Sequence, residues 1–187
     1  MLAYLRATST IGLRYKGEVP GTVPSVMGMC DASFAVHEDC ASQSGFYFTL
    51  CGAAISWKSN KIRKIVLSST EAEYVAASDA SRQAECHRNV LVELGLFSGG
   101  AVQVRTDNKG VQALVGDPVQ RQRTKHIGSH YHYVRQLVDG EVVDFQRVTS
   151  KENVADVLTK GSTRPFHSFA CRGFGLTTWE SSAFLQR

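Results

Sequence analysis

Residues 68 to 95 carry the feature that most restricts the fold. Ala72, Ala76, Ala80 and Ala84 recur at every fourth position, which stacks them on one face of an α-helix. Val90, Leu91 and Leu94 continue that apolar face. Side chains this small let a helix lie close against a sheet. Ser68 and Glu71 have capping-box spacing, with Ser69 and Thr70 as rival caps. Gly95 suits the C-terminal stop.

The rest of the chain supplies the sheet. MLAYLRATSTIGLRYKG reads as a short amphipathic helix followed by a strand or extended exit, and GEVPGTVP as a linker. SVMGMCD predicts a strand ending at Asp31, and AVHEDCASQS a polar loop. GFYFTLCGAAISWK predicts a hairpin with strands at 45–50 and 54–58. KIRKIVLSS gives another short strand or an extended entry to the helix. AVQVRTD predicts a strand with Asp107 just past its end, then a short helix over 108–115 stopped by Gly116 and Pro118. Ile127, Tyr131, Val134 and Val138 have helical spacing, and EVVDFQRV alternates like a strand. Ser150 or Asn153 caps a helix carrying Asp156, while residues 161–187 resist a reading. The order strand, hairpin, helix, strand, helices, strand, helix predicts an α/β fold, a mixed sheet covered by helices. Its functional end lies where strands meet helix starts.

Composition narrows the class. With 187 residues, 43% hydrophobic and 20% charged, the chain suits one globular domain with a real core. The net charge of +4 is compatible with a polyanionic partner without demanding one. The five cysteines include no CxxC pair, so a zinc ribbon or disulfide framework is not expected; reduced, buried thiols are. The N-terminus is too short and polar for a secretory signal, and no apolar run approaches a membrane span. Trp57 and Tyr74 are expected in the core.

Four acids sit at element ends: Asp31, Glu73, Asp107 and Asp156. Singly, each has an ordinary reading as a turn, cap, first-turn or surface acid. Carboxylates that converge repel one another and need divalent cations between them. Such a cluster suits phosphodiester hydrolysis with two Mg²⁺ ions. The pair His126 and His130 is spaced i, i+4, but Ile127 breaks the HExxH pattern and leaves it a surface or structural role.

The order of these acids resembles that of the ribonuclease H fold. SSTEAEYVAAS, GAAISWKSNK, RTKHIGSHYHYVRQ and ENVADVLTK closely resemble the ribonuclease H domain of Ty1/copia-type retrotransposon Pol polyproteins. YLRATSTIGLRYKG resembles the end of the reverse-transcriptase region that precedes it. The resemblance implies a five-stranded mixed sheet with helices on both faces. It implies 1–24 as the end of a reverse-transcriptase or connection-like segment with a linker, 25–161 as the ribonuclease H-like domain and 162–187 as a C-terminal tail. It carries the catalytic and metal-ligand roles to Asp31, Glu73 (rather than Glu71), Asp107 and Asp156. Asp31 then bridges two Mg²⁺ ions, for which Mn²⁺ can substitute. Glu73 and Asp107 hold the ion beside the leaving group, and Asp156 the one carrying water. Two departures stand out: Gly128 replaces the Asp of a KHID pattern, weakening the helix locally, and the loop before Asp156 lacks the His of cellular ribonucleases H.

The implied substrate is RNA paired with DNA, cut in the RNA strand during reverse transcription. Ser33, Asn108 and Gln112 lie close in sequence to the acids and are candidates for 2′-hydroxyl contacts. Arg121, Arg123, Lys125 and His126 form a basic stretch for DNA-strand phosphates; Lys58, Lys61, Arg63 and Lys64 form a second. The polymerase core is absent, so the reverse-transcriptase domain is an expected partner and a membrane is not. The implied location is cytoplasmic virus-like particles, with nuclear passage. Rival readings are an inactive nucleic-acid-binding or polymerase-tethering domain, an integrase-type enzyme (whose D–D–E order differs) and a host-adopted interaction module.

Overall fold

A two-residue turn closes the hairpin at one edge of the sheet. In the computed structural model, residues 2–16, 24–97, 99–113 and 128–178 are described. Cys51 and Gly52 both take positive φ, 52° and 81°, the pairing that matches a two-residue turn to strand twist. It joins β3 (Gln43–Leu50) to β4 (Ala53–Lys61), preceded by α1 (Leu2–Ala7), β1 (Ile11–Leu13) and β2 (Met27–Ser33). β2 runs two residues beyond Asp31 because Ala32 and Ser33 still pair with Ser44 and Gln43. The KIRKIVLSS segment forms no strand past Lys61 and enters the next helix as an irregular loop.

That helix is α2 (Ser69–Glu93), followed by β5 (Val102–Thr106), α3 (Lys109–Ala113), α4 (Gly128–Asp139) and β6 (Val143–Arg147). Ser68 is its cap, the hydroxyl accepting from Glu71 N at 3.1 Å. The reciprocal bond shifts by one residue: the Glu71 carboxylate accepts from Leu67 N at 2.8 Å, not from the cap itself. The alanine ladder is fully buried. A 3₁₀ helix (Val154–Leu158), α5 (Arg164–Gly173) and β7 (Leu176–Thr178) complete the chain.

The five-stranded sheet has the order β4-β3-β2-β5-β6. β3 runs antiparallel to both β2 and β4, while β2, β5 and β6 run parallel. Strand alternation sends Cys30, Phe46 and Phe48 to one face, where they join Tyr74, Ala80, Val104, Val134 and Leu137 from α2, β5 and α4. It sends Met29 and Tyr47 to the other, against Val154, Ala155 and Ala170 of the 3₁₀ helix and α5. Helices thus cover both faces of a mixed sheet. Gly45 permits the second covering: a Cβ there would come within 2.7 Å of the Leu158 Cβ.

Several expectations need correction. Within the stretch that resists a reading, α5 packs under the sheet, and β7 pairs antiparallel with β1, Ile11 opposite Thr178. Tyr15 OH donates to Ala54 O at 2.7 Å, tying the N-terminal stretch to β4. Trp57 is 59% exposed, because it sits on β4, the edge strand; Tyr74 is buried. No disulfide forms among the described residues, but only Cys30 is buried, and Cys40 and Cys86 are exposed. Gly128 opens the described part of α4 rather than interrupting it.

Candidate metal centre

Three acids arrive from three elements. Asp31 lies on β2 opposite Gly45, Asp107 follows β5, and Asp156 sits in the 3₁₀ helix. A carboxylate oxygen from each lies within 4.8 Å of the others. Asp31 and Asp156 are buried and Asp107 half-buried.

The 3₁₀ segment holds this geometry. Three residues per turn place i and i+3 on the same side, so Asn153, Asp156 and Thr159 all turn inward and are buried. Asn153 Nδ2 donates to Cys30 O at 3.2 Å, Asp31 Oδ1 at 3.4 Å and Asp107 Oδ1 at 3.3 Å. Its Oδ1 accepts from Ala155 N and caps the turn. The Thr159 hydroxyl donates to Asp31 Oδ2 and is shared with Asp156 O. Lys160 Nζ lies 2.8 Å from Asp156 Oδ2. From the sequence Asn153 reads only as a cap, and Thr159 and Lys160 are not picked out. The available signal was the three-residue spacing within NVADVLTK.

Glu73 stands beside the triad rather than within its ligand distance. It projects from the first turns of α2, is buried, and its Oε2 has no hydrogen-bond partner among the described residues. Burial, then the charges of Asp31 and Asp107, push its carboxyl up to about 9. Asp31 is pushed up to about 7, by burial first; the Thr159 bond opposes this and the Asp156 charge adds to it. Burial would lower Lys160, but the Asp156 contact and the charges of Asp31, Asp156 and Asp107 raise it.

The donor set fits a hard divalent cation. The three groups that cluster are all carboxylates, whose oxygens suit Mg²⁺ or Mn²⁺ better than zinc. Asp156 Oδ1 and Glu73 Oε2 are buried without partners among the described residues, and such orphaned acceptors call for a cation or water. Protons and Lys160 offset the repulsion otherwise.

The remaining candidates differ in exposure and in engagement. Ser33 is half-buried at the end of β2, and Gln112 is exposed on α3. Asn108 Oδ1 is committed to capping α3, accepting from Gly110 N at 2.7 Å and Val111 N at 3.1 Å. Arg121, Arg123, Lys125 and His126 lie outside the described residues. In the other basic stretch, Lys58, Lys61 and Lys64 pair with Asp79, Asp39 and Glu71, and Arg63 is exposed. Lys61, Arg63, Lys64 and His130 line a cleft of about 440 Å³.

No protein-family profile matches the chain. The retrovirus-related Pol polyprotein from transposon TNT 1-94 of Nicotiana tabacum is 37% identical over 161 residues, 86% of this chain. The corresponding polyprotein from transposon RE1 of Arabidopsis thaliana is 33% identical over 174 residues, 92% of this chain. The chain is a segment of the retrotransposon Pol family. This Pol segment spans 12% of the length of either relative. Its fold is that of ribonuclease H: the RNase H1 of the halophilic archaeon Halobacterium salinarum NRC-1 superposes with a TM-score of 0.50. That match has 15% identity and covers 72% of this chain and 94% of that one. No helix among the described residues is long and apolar enough to cross a membrane.

Proposed function

We propose that this Pol segment is a metal-dependent endonuclease that hydrolyses the RNA strand of RNA/DNA hybrids during reverse transcription. The observation that carries the reading is the meeting of Asp31, Asp107 and Asp156 within 4.8 Å at the end of a ribonuclease H sheet, with Glu73 beside them. Asp31, Asp107 and Asp156 would hold divalent cations, and Glu73 would join them from α2. When bound, such ions activate water and stabilise the leaving 3′-oxygen.

The chain's own residues do the positioning. Asn153 fixes the carboxylates of Asp31 and Asp107 relative to each other, and Thr159 orients the second oxygen of Asp31. Such preorganisation keeps like charges together before substrate arrives. Ser33 at the end of β2 and Gln112, exposed on α3, suit contacts to 2′-hydroxyls, the groups that distinguish RNA from DNA. Asn108 contributes its amide nitrogen, since its oxygen is engaged in the α3 cap. Arg123, Lys125 and His126 suit DNA-strand phosphates, which makes binding weaken with salt. The preceding reverse-transcriptase domain is the natural partner, within cytoplasmic particles and with nuclear passage.

The test is cleavage of a labelled RNA/DNA hybrid in Mg²⁺, beside duplex DNA, duplex RNA and an Asp107→Asn variant. The expected result is cutting of only the RNA in the hybrid, lost with EDTA and in the variant. Parental cutting by Asp107→Asn overturns the assignment.

A further inference from the structure

We propose that Lys160 is the resident cation of the carboxylate cluster: its ammonium occupies Asp156 in the metal-free protein and competes there with a divalent ion. The proposal rests on reading Asp31, Asp107 and Asp156 as metal ligands, and it concerns what fills the cluster before metal arrives. Lys160 Nζ sits 2.8 Å from Asp156 Oδ2. Among the described residues this is the only ion pair made by a member of the triad; the others join Lys58, Lys61, Lys64, Arg82 and Arg135 to acids elsewhere. The other oxygen of Asp156, Oδ1, is buried and has no partner there.

The geometry lets the ammonium come and go. The Lys160 side chain is 48% exposed, against 11% for Asp156, so it reaches the cluster from solvent. Its backbone N–H is anchored to Asp156 O at 3.1 Å, which keeps the base of the side chain in place whichever way the stem points. A lysine is a compact charge on a flexible stem. In the metal-free state it offsets the mutual repulsion of three acids within 4.8 Å. A divalent ion on the same oxygens repels it at close range. An ordinary surface ion pair stabilises the fold and nothing more; a competitor stabilises the empty site and weakens metal binding together.

That pairing of signs is the test. Thermal unfolding in EDTA and calorimetric titration with Mn²⁺ alone are measured at low salt for the parent chain, Lys160→Met, Lys160→Gln and Lys160→Arg. Both neutral variants are expected to unfold about 1–4 °C lower without metal. They are also expected to bind Mn²⁺ with a Kd roughly three- to tenfold lower, a gain that shrinks in high salt. Lys160→Arg is expected to stay close to the parent in both. Equal or weaker Mn²⁺ binding by folded Lys160→Met and Lys160→Gln overturns the proposal while leaving the metal site intact. If neither the parent nor the variants bind Mn²⁺, the ligand reading falls and takes the proposal with it.

Discussion

The two faces of the sheet are built by different means. Under α2 and α4 lies a broad apolar core of aromatic, aliphatic and alanine side chains. Under the 3₁₀ helix and α5 lies a small one of Met29, Tyr47, Val154, Ala155 and Ala170, beside a polar network through Asn153 and Thr159. The first face gains its stability from buried area. The second gains definition from hydrogen bonds that must all be satisfied. The carboxylates sit at the seam, Glu73 from the first face and Asp156 from the second. Geometry at the centre therefore depends on the weaker face more than overall stability does.

Truncation of Phe48, fully buried in the larger core, sharpens this contrast most. Phe48→Ala is expected to cost about 3–5 kcal/mol, read as a lowered urea midpoint, while the fraction that stays folded keeps its Mn²⁺ affinity. A loss of metal affinity in folded protein would show that the two faces are not separable. Gly45→Val strikes the second face instead. Its Cβ meets Leu158 and Thr159, and overpacking costs roughly 1–3 kcal/mol. Here the expected pattern reverses: a modest drop in the urea midpoint and a large loss of Mn²⁺ binding, as the turn carrying Asp156 lifts away. Unchanged binding would mean that the 3₁₀ helix does not set the site.

The seam also predicts the pH response. Asp31 and Glu73 are pushed up to about 7 and about 9 from ordinary values of 3.8 and 4.5. The folded chain then holds protons that the unfolded chain has released, so metal-free stability falls as pH rises from about 4 through those values. The expected melting temperature in EDTA declines by several degrees between pH 5 and 9, and saturating Mn²⁺ flattens the slope by replacing the protons. A flat or rising EDTA curve would contradict the electrostatic account of the cluster.

The same division explains what could be read from the chain. The larger face was legible because its signals are periodic: alanines at every fourth residue, alternation along β6, and a cap at Ser68. The order of the acids along the chain points to four, of which Asp31, Asp107 and Asp156 meet and Glu73 stands beside them. The second face gave little away. A five-residue 3₁₀ helix is too short for a periodic pattern. Pairing of β1 with β7 joins residues more than 160 positions apart, which no local window records. Trp57 reads as core because tryptophan is highly buried on average, yet its strand is an edge. Asn153 looked like a cap and is one, but its amide nitrogen spans two acids, a role visible only once Asp31 and Asp107 are brought beside it.

The smallest expected effect separates two glutamates only two residues apart on α2. Glu71 is buried but fully engaged: its carboxylate accepts from Leu67 N at 2.8 Å and lies 3.3 Å from Lys64 Nζ. Glu71→Gln keeps an oxygen for the Leu67 amide and loses only an ion pair with a half-exposed lysine, so metal-free stability should drop by up to about 1 kcal/mol. Glu73 faces the other acids with an oxygen that has no partner among the described residues, and removing its charge relieves repulsion. Glu73→Gln should therefore raise the metal-free melting temperature at pH above about 9, where the parent carboxyl is ionised, and weaken Mn²⁺ binding. Glu71→Gln should leave Mn²⁺ binding unchanged. Opposite signs in stability and a split in metal affinity assign the site to Glu73; the same sign and the same affinity in both variants would remove the reason for choosing between them.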